Sequence, residues 1–561
     1  MATTPAADPE VPGGRRGFRR DLVLLAAAAL AFRVIVFGRL GIDHFDEGAY
    51  AMSAAAIAGA EGTRGLYPLQ QLLSPPLYFG AVAGLMVLFG STSAAIAFGL
   101  SIAAGVASVV AVYLAGRHWF GRAAGGAAAL AVALSDYHIL YSRAGLTDAL
   151  FLALFVLALA AFAHAEDSRS RRMAALAGVL TGLAWNTKYH GWLAGVIAIG
   201  ALVPAFLAGT ARERRAMALR IGIAGAIAGA LFLPWFLYVQ SLEGGYSRVA
   251  SQQARFLNPG LLIQHTLGQL RAQLYLEGWT ARLAPLALAG WIAVVHPPAR
   301  RTGALAWAVA LTVLGLALGA TTLLGLLAVL GAMILVRRHG RRWTLHWFGL
   351  AFFAVFTVLT PVYAPYPRLL LPWLAAAALL AGVAVEWLLL LEFPARGRII
   401  APAALVLAAG ILIAGRDLRP AAVPWRAREQ LRVAAQEVNR IAGASEAIVV
   451  LGEPGVVFYL RRLGRTAWHV DRPEEALRYV SPGTPYYLVG GIYSRRIRGP
   501  RSLAAWLEEH PEGVVAGTAH VADMSDVRLL EDFSPEGARR FRREARDDYD
   551  LRVYHVNRMA R

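Results

Sequence analysis

The sequence contains no cysteine and little charge. Without cysteine the chain has no disulfide, no thiolate metal site and no thiol nucleophile. Charged residues make up 16% of the 561 residues, whereas a soluble domain carries about 25%. Hydrophobic residues reach 57%, and the mean hydropathy is +0.50. Together these values predict a polytopic membrane protein.

Lysine is almost absent. Lys188 is the sole lysine among 55 basic residues, and it stands at the end of an apolar run. Because the chain uses arginine for general positive charge, a single lysine indicates a need for a compact ammonium, which binds phosphate as a point charge. The alternative is a snorkelling lysine, whose aliphatic stem lies along the helix while its ammonium reaches the water at the membrane surface.

The net charge of +19 raises the question of a nucleic-acid partner. Only +4 of it lies in residues 416–561, and the other +15 lies in short arginine clusters between apolar runs. This distribution is typical of cytoplasmic loops. We therefore expect contact with membrane lipids and no nucleic-acid partner.

Thirteen apolar stretches are long enough to cross about 30 Å of hydrocarbon. They are 22–40, 94–116, 123–141, 148–165, 173–188, 191–208, 219–241, 281–296, 303–319, 320–336, 344–362, 369–391 and 399–415. A fourteenth, 77–90, is short and follows two prolines. If it lies at the membrane surface, every arginine cluster falls on one side, so the positive-inside rule predicts a juxtamembrane helix there.

This topology predicts a protein of the cytoplasmic (inner) membrane with four outer loops: 41–93, 142–147, 242–280 and 363–368. It divides the chain into a disordered basic N-terminus (1–20), a membrane domain (21–415) and an outer soluble domain (416–561). Short apolar runs alternate with helix-like stretches in the last part, which predicts an α/β fold. The runs are 447–451, 486–489, 513–516 and 527–530, and the helix-like stretches are 426–441, 473–480 and 502–510. The segment 452–455 (GEPG) is read as a turn, since it has neither a dinucleotide fingerprint nor a P-loop lysine.

Acidic residues follow the first span and open the fourth. The first outer loop begins Asp43-His44-Phe45-Asp46-Glu47, and the second runs from Tyr141-Ser142-Arg143 to Asp148. A solvated loop would explain the first group. A carboxylate at the mouth of a span is costly, however, which makes Asp148 a functional candidate.

Two further outer corners carry positive charge. One is Thr187-Lys188-Tyr189-His190, and the other ends in Pro367-Arg368 at the start of a span. Arg368 there either holds a phosphate through two hydrogen bonds or anchors its helix at the interface.

The order of these elements resembles that of the multi-spanning glycosyltransferases that use polyprenyl-phosphate sugars. The shared elements are an Asp-Glu pair after span one, a Pro-Pro-Leu-Tyr juxtamembrane helix, an Arg-x-x-x-x-Asp corner, a Thr-Lys after span five and a late Pro-Arg-Leu-Leu-Leu-Pro. This family includes the protein O-mannosyltransferases and the bacterial aminoarabinose lipid A transferase. Thirteen spans followed by an outer α/β domain are similar to the latter. The oligosaccharyltransferase branch fits less well, because the last domain has no Trp-Trp-Asp peptide motif.

The resemblance implies a role for each candidate residue. Asp46 would act as the base or orient the acceptor, with Glu47 assisting, and Asp148 would order the acceptor or a divalent cation. Substrate-binding roles would fall to Lys188, Tyr189, Arg368, Arg143 and Tyr78, of which Lys188 and Arg368 would neutralise the lipid phosphate. His44 and Asp148 are candidate ligands if a divalent metal takes part. His44 and His190 are otherwise expected to be hydrogen-bonded structural residues.

The implied reaction moves a monosaccharide from a polyprenyl-phosphate donor to a lipid, glycan or protein hydroxyl outside the cytoplasmic membrane. The alternative is a transporter or flippase of lipid-linked glycans. A transporter is expected to place ionisable residues at mid-membrane and often to contain internal repeats. Here the ionisable residues cluster at the outer ends of spans.

Overall fold

The computed structural model describes most of the membrane domain and much of the C-terminal domain. The C-terminal domain is called the outer domain below, after its predicted position. The described residues are 14–35, 37–59, 74–254, 257–295, 301–337, 343–363, 367–390, 397–413, 427–443, 445–481, 483–491, 502–511, 513–521 and 550–557. The predicted strand 527–530 lies outside them, and so do residues 1–13 of the N-terminus (1–20) that was predicted to be disordered. The prediction is wrong for residues 14–20, because α1 begins at Gly14.

Helices occupy all thirteen apolar stretches. The helices of the membrane domain are α1 (Gly14–Val34), α2 (Phe45–Ile57), α3 (Leu77–Leu88), α4 (Ala94–Trp119), α5 (Arg122–Ala133), α6 (Asp136–Ser142), α7 (Asp148–Asp167), α8 (Arg171–Thr187), α9 (Leu193–Ala208), α10 (Ala211–Gln240), α11 (Gly245–Ala254), α12 (Leu262–Leu276), α13 (Trp279–Val295), α14 (Arg301–Leu318), α15 (Ala320–Arg337), α16 (Trp343–Val362), α17 (Leu371–Leu390) and α18 (Gly397–Ile413). In the described part, eight helices are long and apolar enough to cross a membrane, or nine if one bent pair counts as a single span. The chain is thus a membrane protein, while the count of thirteen spans stays a prediction.

The predicted span 123–141 is a broken helix. Helices α5 and α6 meet at an angle of 64°. Ser135 stops the run by capping α6, with its hydroxyl accepting from the His138 amide at 3.3 Å. Asp136 then accepts hydrogen bonds from the Gly278 and Ala281 amides at 2.8 and 2.9 Å, at the start of α13. The break therefore turns a carboxylate toward the N-terminus of a second helix, where negative charge is favourable.

Two predicted outer loops contain helices. Helix α2 lies in the loop 41–93, and α11 and α12 lie in the loop 242–280. Helix α3, in the segment expected at the membrane surface, has only 12 residues. At about 1.5 Å per residue, it is too short to cross the hydrocarbon layer.

Acidic residues pair with arginine clusters at one end of the helices. Asp21 near the start of α1 accepts from Arg122 at the start of α5, at 2.7 and 2.8 Å. Glu166 near the end of α7 pairs with Arg220 in α10. We call this the arginine end. Asp148 and Lys188 lie at the opposite ends of α7 and α8, so the candidate site is at the other end of the bundle.

The outer domain is a five-stranded mixed sheet with helices packed on it. Its elements are α19 (Gln430–Ile441), β1 (Ala447–Leu451), α20 (Pro454–Arg462), β2 (Ala467–Val470), β3 (Tyr486–Gly490), α21 (Leu503–Glu509), β4 (Gly513–Ala519) and β5 (Leu551–Val556), and a 3₁₀ turn occupies Pro473–Arg478. The strand order is β2-β1-β3-β5-β4. Strand β1 pairs in parallel with β2 and β3, whereas β5 is antiparallel to β3 and β4. The predicted α/β fold is confirmed.

The outer domain and helix α2 share one hydrophobic core. Ile42, Ala49 and Met52 pack with the buried residues of α19, α20 and the sheet. Gly48 of α2 meets Gly455 of α20 so closely that a Cβ on Gly48 would lie 2.3 Å from the Gly455 nitrogen. Of the predicted turn 452–455, Gly452 and Glu453 join β1 to α20, whereas Pro454 and Gly455 already belong to α20. The first outer loop is thus held by both domains.

Candidate active site

Four of the predicted site residues form two ion pairs. The Arg368 guanidinium donates to Asp46 Oδ2 at 2.6 Å, and Lys188 Nζ donates to Asp148 Oδ1 at 2.5 Å. The Asp46 carboxylate also lies within electrostatic range of Lys188. The structure therefore brings together side chains from four separate segments, with the two members of the Asp46–Arg368 pair 322 residues apart in sequence.

Asp46 lies in the first turn of α2, at the surface of the site. His44 caps this helix, because its Nδ1 accepts from the Asp46 amide at 3.0 Å. The side chain of Asp46 is 27% exposed, compared with 2% for Asp148. Asp46 is thus the carboxylate that a substrate reaches more easily.

The charges around Asp46 keep it ionised. Burial alone would raise the pKa of Asp46, but the charges of Arg368 and Lys188 and the hydrogen bond from Arg368 hold that pKa below its ordinary value. Burial, helped by the charge of Arg368, lowers the pKa of His44 to about 4. At neutral pH, Asp46 is therefore an anion and His44 is neutral, which suits the Nδ1 atom of His44 to its acceptor role.

Asp148 and Lys188 face each other across the ends of two antiparallel helices. Asp148 is the first residue of α7, where the helix dipole favours a carboxylate. Lys188 follows α8 in an extended conformation, before a tight turn at Tyr189–Trp192. A Cβ on Gly191 would lie 2.2 Å from the Trp185 nitrogen, so only glycine allows this turn. Asp148 Oδ2 is buried and accepts no hydrogen bond from the described residues.

Glu47, Arg143 and Tyr78 lie behind these ion pairs. Both Glu47 oxygens accept backbone hydrogen bonds, and its side chain is fully buried. Arg143 donates to the Ile35 carbonyl at 2.7 Å. The Tyr78 hydroxyl is buried and bonds to Ser101 at 2.8 Å. The predicted roles of these residues in substrate binding stay predictions, and their observed contacts hold the surrounding segments together.

Tyr189 belongs to an aromatic wall beside Lys188. Its hydroxyl accepts from Trp235 Nε1 at 3.3 Å, and its ring contacts those of Phe232 and Tyr246. The His190 ring packs edge-on against Phe151, at 4.5 Å between centroids. These rings place aromatic surface beside Lys188, at the end of the bundle opposite the arginine end.

Within the described residues, no three His, Asp or Glu side chains lie close enough to hold a metal ion. His44 Nδ1 already accepts the Asp46 amide, and Asp148 already holds the Lys188 ammonium. The observed charges therefore balance through side chains of the chain itself, and the candidate metal role of His44 and Asp148 stays a prediction.

Two arginines near the site were not predicted from the sequence. Arg428, from the outer domain, pairs with Glu47 at 3.3 Å. Arg33 of α1 is buried at the α5–α6 break, where it donates to Ser142 at 2.8 Å and pairs with His138. Arg33 stood out in the sequence as a charge inside an apolar run, a signal of function or of buried structure. Arg428 stood in a charged segment and carried no comparable signal.

Residues 74–238 match the sequence profile of the family described as dolichyl-phosphate-mannose-protein mannosyltransferase. No curated protein sequence gives a significant match. The matched segment contains Tyr78, Asp148 and Lys188, and it ends before Arg368.

The similarity to solved structures extends over more of the chain than the family match does. The oligosaccharyltransferase of Archaeoglobus fulgidus in its apo form superposes with a TM-score of 0.53 at 14% identity, covering 86% of this chain and 70% of that one. The oligosaccharyltransferase AglB of Archaeoglobus fulgidus, in complex with an inhibitory peptide and a dolichol-phosphate, gives 0.51 at 15% identity, with 84% and 69% covered. ArnT from Cupriavidus metallidurans bound to undecaprenyl phosphate gives 0.47 at 16% identity, with 95% and 98% covered. The predicted fold and resemblance are confirmed: the chain has the GT-C fold of the multi-spanning glycosyltransferases.

Proposed function

We propose that this chain is a glycosyltransferase that moves a monosaccharide from a polyprenyl-phosphate donor to an acceptor hydroxyl on the outer side of the cytoplasmic membrane. The main support for this proposal is that two ion pairs, Asp46–Arg368 and Asp148–Lys188, lie at one end of the bundle. Two cations suit a departing lipid phosphate, and an ionised carboxylate suits removal of the acceptor proton.

In this reaction the bond between the sugar C1 and the phosphate oxygen breaks, and its electron pair stays with the phosphate. A new bond forms from the acceptor oxygen to C1, and the acceptor proton passes to Asp46. Lys188 and Arg368 stabilise the phosphate charge. Asp148, with one oxygen not occupied by the described residues, orients a hydroxyl of the sugar or of the acceptor.

The proposed donor class also fits the surroundings. The site lies at the end of the bundle opposite the arginine end, and by the positive-inside rule this is the outer side. A polyprenyl chain would lie along apolar helix surfaces while its phosphate meets the charged residues. The acceptor is a lipid, glycan or protein hydroxyl.

The test uses the purified full-length protein with radiolabelled polyprenyl-phosphate sugars and envelope extracts as acceptors. Asp46→Asn should lower kcat by about 100-fold or more, because it removes the base and keeps the shape. Glu437→Gln makes the same chemical change on the exposed face of α19 and should transfer at the wild-type rate. Activity of Asp46→Asn within a few-fold of wild type would exclude the base. Transbilayer movement of the donor without a covalent product would instead identify a flippase.

A further inference from the structure

A buried ion pair joins the outer domain to the first outer loop. Arg428 NH1 lies 3.3 Å from Glu47 Oε1 and 3.5 Å from Oε2. The two side chains are only 3% and 0% exposed. Removing one partner of such a pair leaves a buried charge without compensation, which is strongly unfavourable.

Glu47 connects the two segments that carry the site carboxylates. Its Oε2 accepts from the Asp43 and His44 amides at 3.0 and 2.9 Å, next to Asp46. Its Oε1 accepts from the Gly145 amide at 2.6 Å, three residues before Asp148. The position of Glu47 therefore sets the separation between the segments of Asp46 and Asp148.

Arg428 fixes the position of Glu47 through its own contacts. Its NH2 donates to the Arg143 carbonyl at 2.8 Å, and its backbone amide donates to the Arg39 carbonyl at 2.9 Å. Its guanidinium lies over the Phe98 ring, 5.5 Å from the centroid. The residue thus contacts the end of the first span, the start of α4 and the segment before Asp148.

We propose that Arg428 is a positioning residue of the active site, by which the outer domain sets the geometry of Asp46 and Asp148 through Glu47. This inference rests on the proposed function for its catalytic consequence. Arg428 itself touches neither Asp46 nor Asp148 in any described contact. Its loss therefore disturbs the separation of the carboxylates, while Lys188 and Arg368, which Arg428 does not contact in the described residues, continue to hold the phosphate.

The first experiment compares Arg428→Met with Arg432→Met in the full-length protein. Arg432 lies in α19, is half exposed and pairs with Glu429, so it is a matched control for removing an arginine from the same segment. We expect Arg428→Met to lower kcat by about tenfold or more while the KM for the donor stays within about threefold. Arg432→Met should change neither constant. An unchanged kcat for Arg428→Met, or an equal effect of both variants, would overturn the proposal.

The second experiment asks whether Arg428 acts through Glu47. The variants Glu47→Gln, Arg428→Met and the double variant form a cycle. Arg428→Met leaves Glu47 as an uncompensated buried charge, and the double variant removes that charge, so the cycle keeps a readout even if Arg428→Met does not fold. We expect the double variant to be no slower than Glu47→Gln alone. Independent effects that multiply in the double variant would show that Arg428 acts elsewhere.

The third experiment does not depend on catalysis. Glu47 accepts hydrogen bonds from amides in the segments 42–48 and 143–147. Amide hydrogen exchange of peptides covering these segments should therefore be faster in Arg428→Met than in the wild-type full-length protein. It should be unchanged in Arg432→Met. Unchanged exchange would overturn the positioning role even with an active enzyme. If the wild type transfers no sugar but the exchange changes as expected, the proposed function fails and the structural link stands.

Discussion

Lys188→Met and Asp148→Asn are expected to change lipid-phosphate binding in opposite directions. Asp46, Asp148, Lys188 and Arg368 carry two negative and two positive charges, so the cluster is neutral before a ligand binds. Replacing Lys188 by methionine leaves a net negative charge, and replacing Asp148 by asparagine leaves a net positive one. A merely structural ion pair would predict loss of binding, or no change, in both variants.

The magnitude follows from the geometry of the pair. Lys188 Nζ lies 2.5 Å from Asp148 Oδ1. A phosphate oxygen can accept a hydrogen bond from the side of the ammonium that faces away from Asp148, at about 2.8 Å from Nζ. This oxygen then lies about 5 Å from the aspartate oxygen. At an effective dielectric constant of about 20, unit charges at that distance interact by about 3 kcal/mol, or about 100-fold in affinity. Asp148→Asn should thus tighten undecaprenyl phosphate binding by up to about 100-fold, and Lys188→Met should weaken it by about 100-fold or more.

The assay is equilibrium binding of radiolabelled undecaprenyl phosphate to the purified protein in lipid nanodiscs. Glu437→Gln and Arg440→Met make the same charge changes in an exposed ion pair of α19 and should leave the affinity unchanged. Circular dichroism and size-exclusion profiles check that each variant is folded. Affinities that move in the same direction for Lys188→Met and Asp148→Asn, or shifts no larger than those of the two controls, would refute the electrostatic reasoning.

Three further predictions concern the ammonium, pH and topology. Lys188→Arg should restore donor use only in part, because a broad planar guanidinium replaces a compact ammonium; wild-type rates over a range of donor concentrations would reduce Lys188 to a membrane-edge residue. Because the pKa of His44 is lowered to about 4 in the folded protein, the unfolded chain binds more protons as the pH falls below about 6.5. The free energy of unfolding should therefore fall by about 2 kcal/mol between pH 7 and pH 5 on account of His44. In a denaturant titration, His44→Asn, which keeps the helix cap, should lose less stability over the same pH range. In this cysteine-free chain, cysteines at Ser91 and Glu474 should react with an impermeant maleimide from outside and one at Ser168 should not; the reverse pattern would contradict the topology.

The helices could be predicted, and the candidate site residues could be picked out, because both depend on local sequence. Crossing the membrane requires about 20 apolar residues in one run, so span positions are visible without knowledge of the fold. Charges at the ends of such runs are rare enough to stand out, as Asp148 and Lys188 do. The broken helix α5–α6 was missed, although Ser135 followed by Asp136 is a helix-start signal inside an apolar run.

Pairings between distant residues could not be predicted in the same way. Nothing local connects Asp46 with Arg368 or Glu47 with Arg428, which are 322 and 381 residues apart. Arg428 is one arginine in a charged segment, so its burial depends wholly on the docking of α20 on α2. Strand β5 was missed for a similar reason: its alternating pattern is short, and its pairing with β3 and β4 is nonlocal.

The two ion pairs differ in burial, and this difference separates their parts in the proposed reaction. Asp148 and Lys188 are 2% and 14% exposed, whereas Asp46 is 27% exposed, so the Asp46–Arg368 pair opens more easily to a ligand. Lys188 has three donors and binds a phosphate oxygen while still holding Asp148. Arg368, in contrast, must turn from Asp46 to bind the phosphate with both arms of its guanidinium. Because the charge of Arg368 helps to hold the pKa of Asp46 low, this exchange raises that pKa and strengthens Asp46 as a base. In the proposed reaction, donor binding thus activates the carboxylate that receives the acceptor proton, and Asp46 remains a weak base paired with arginine until the donor is bound.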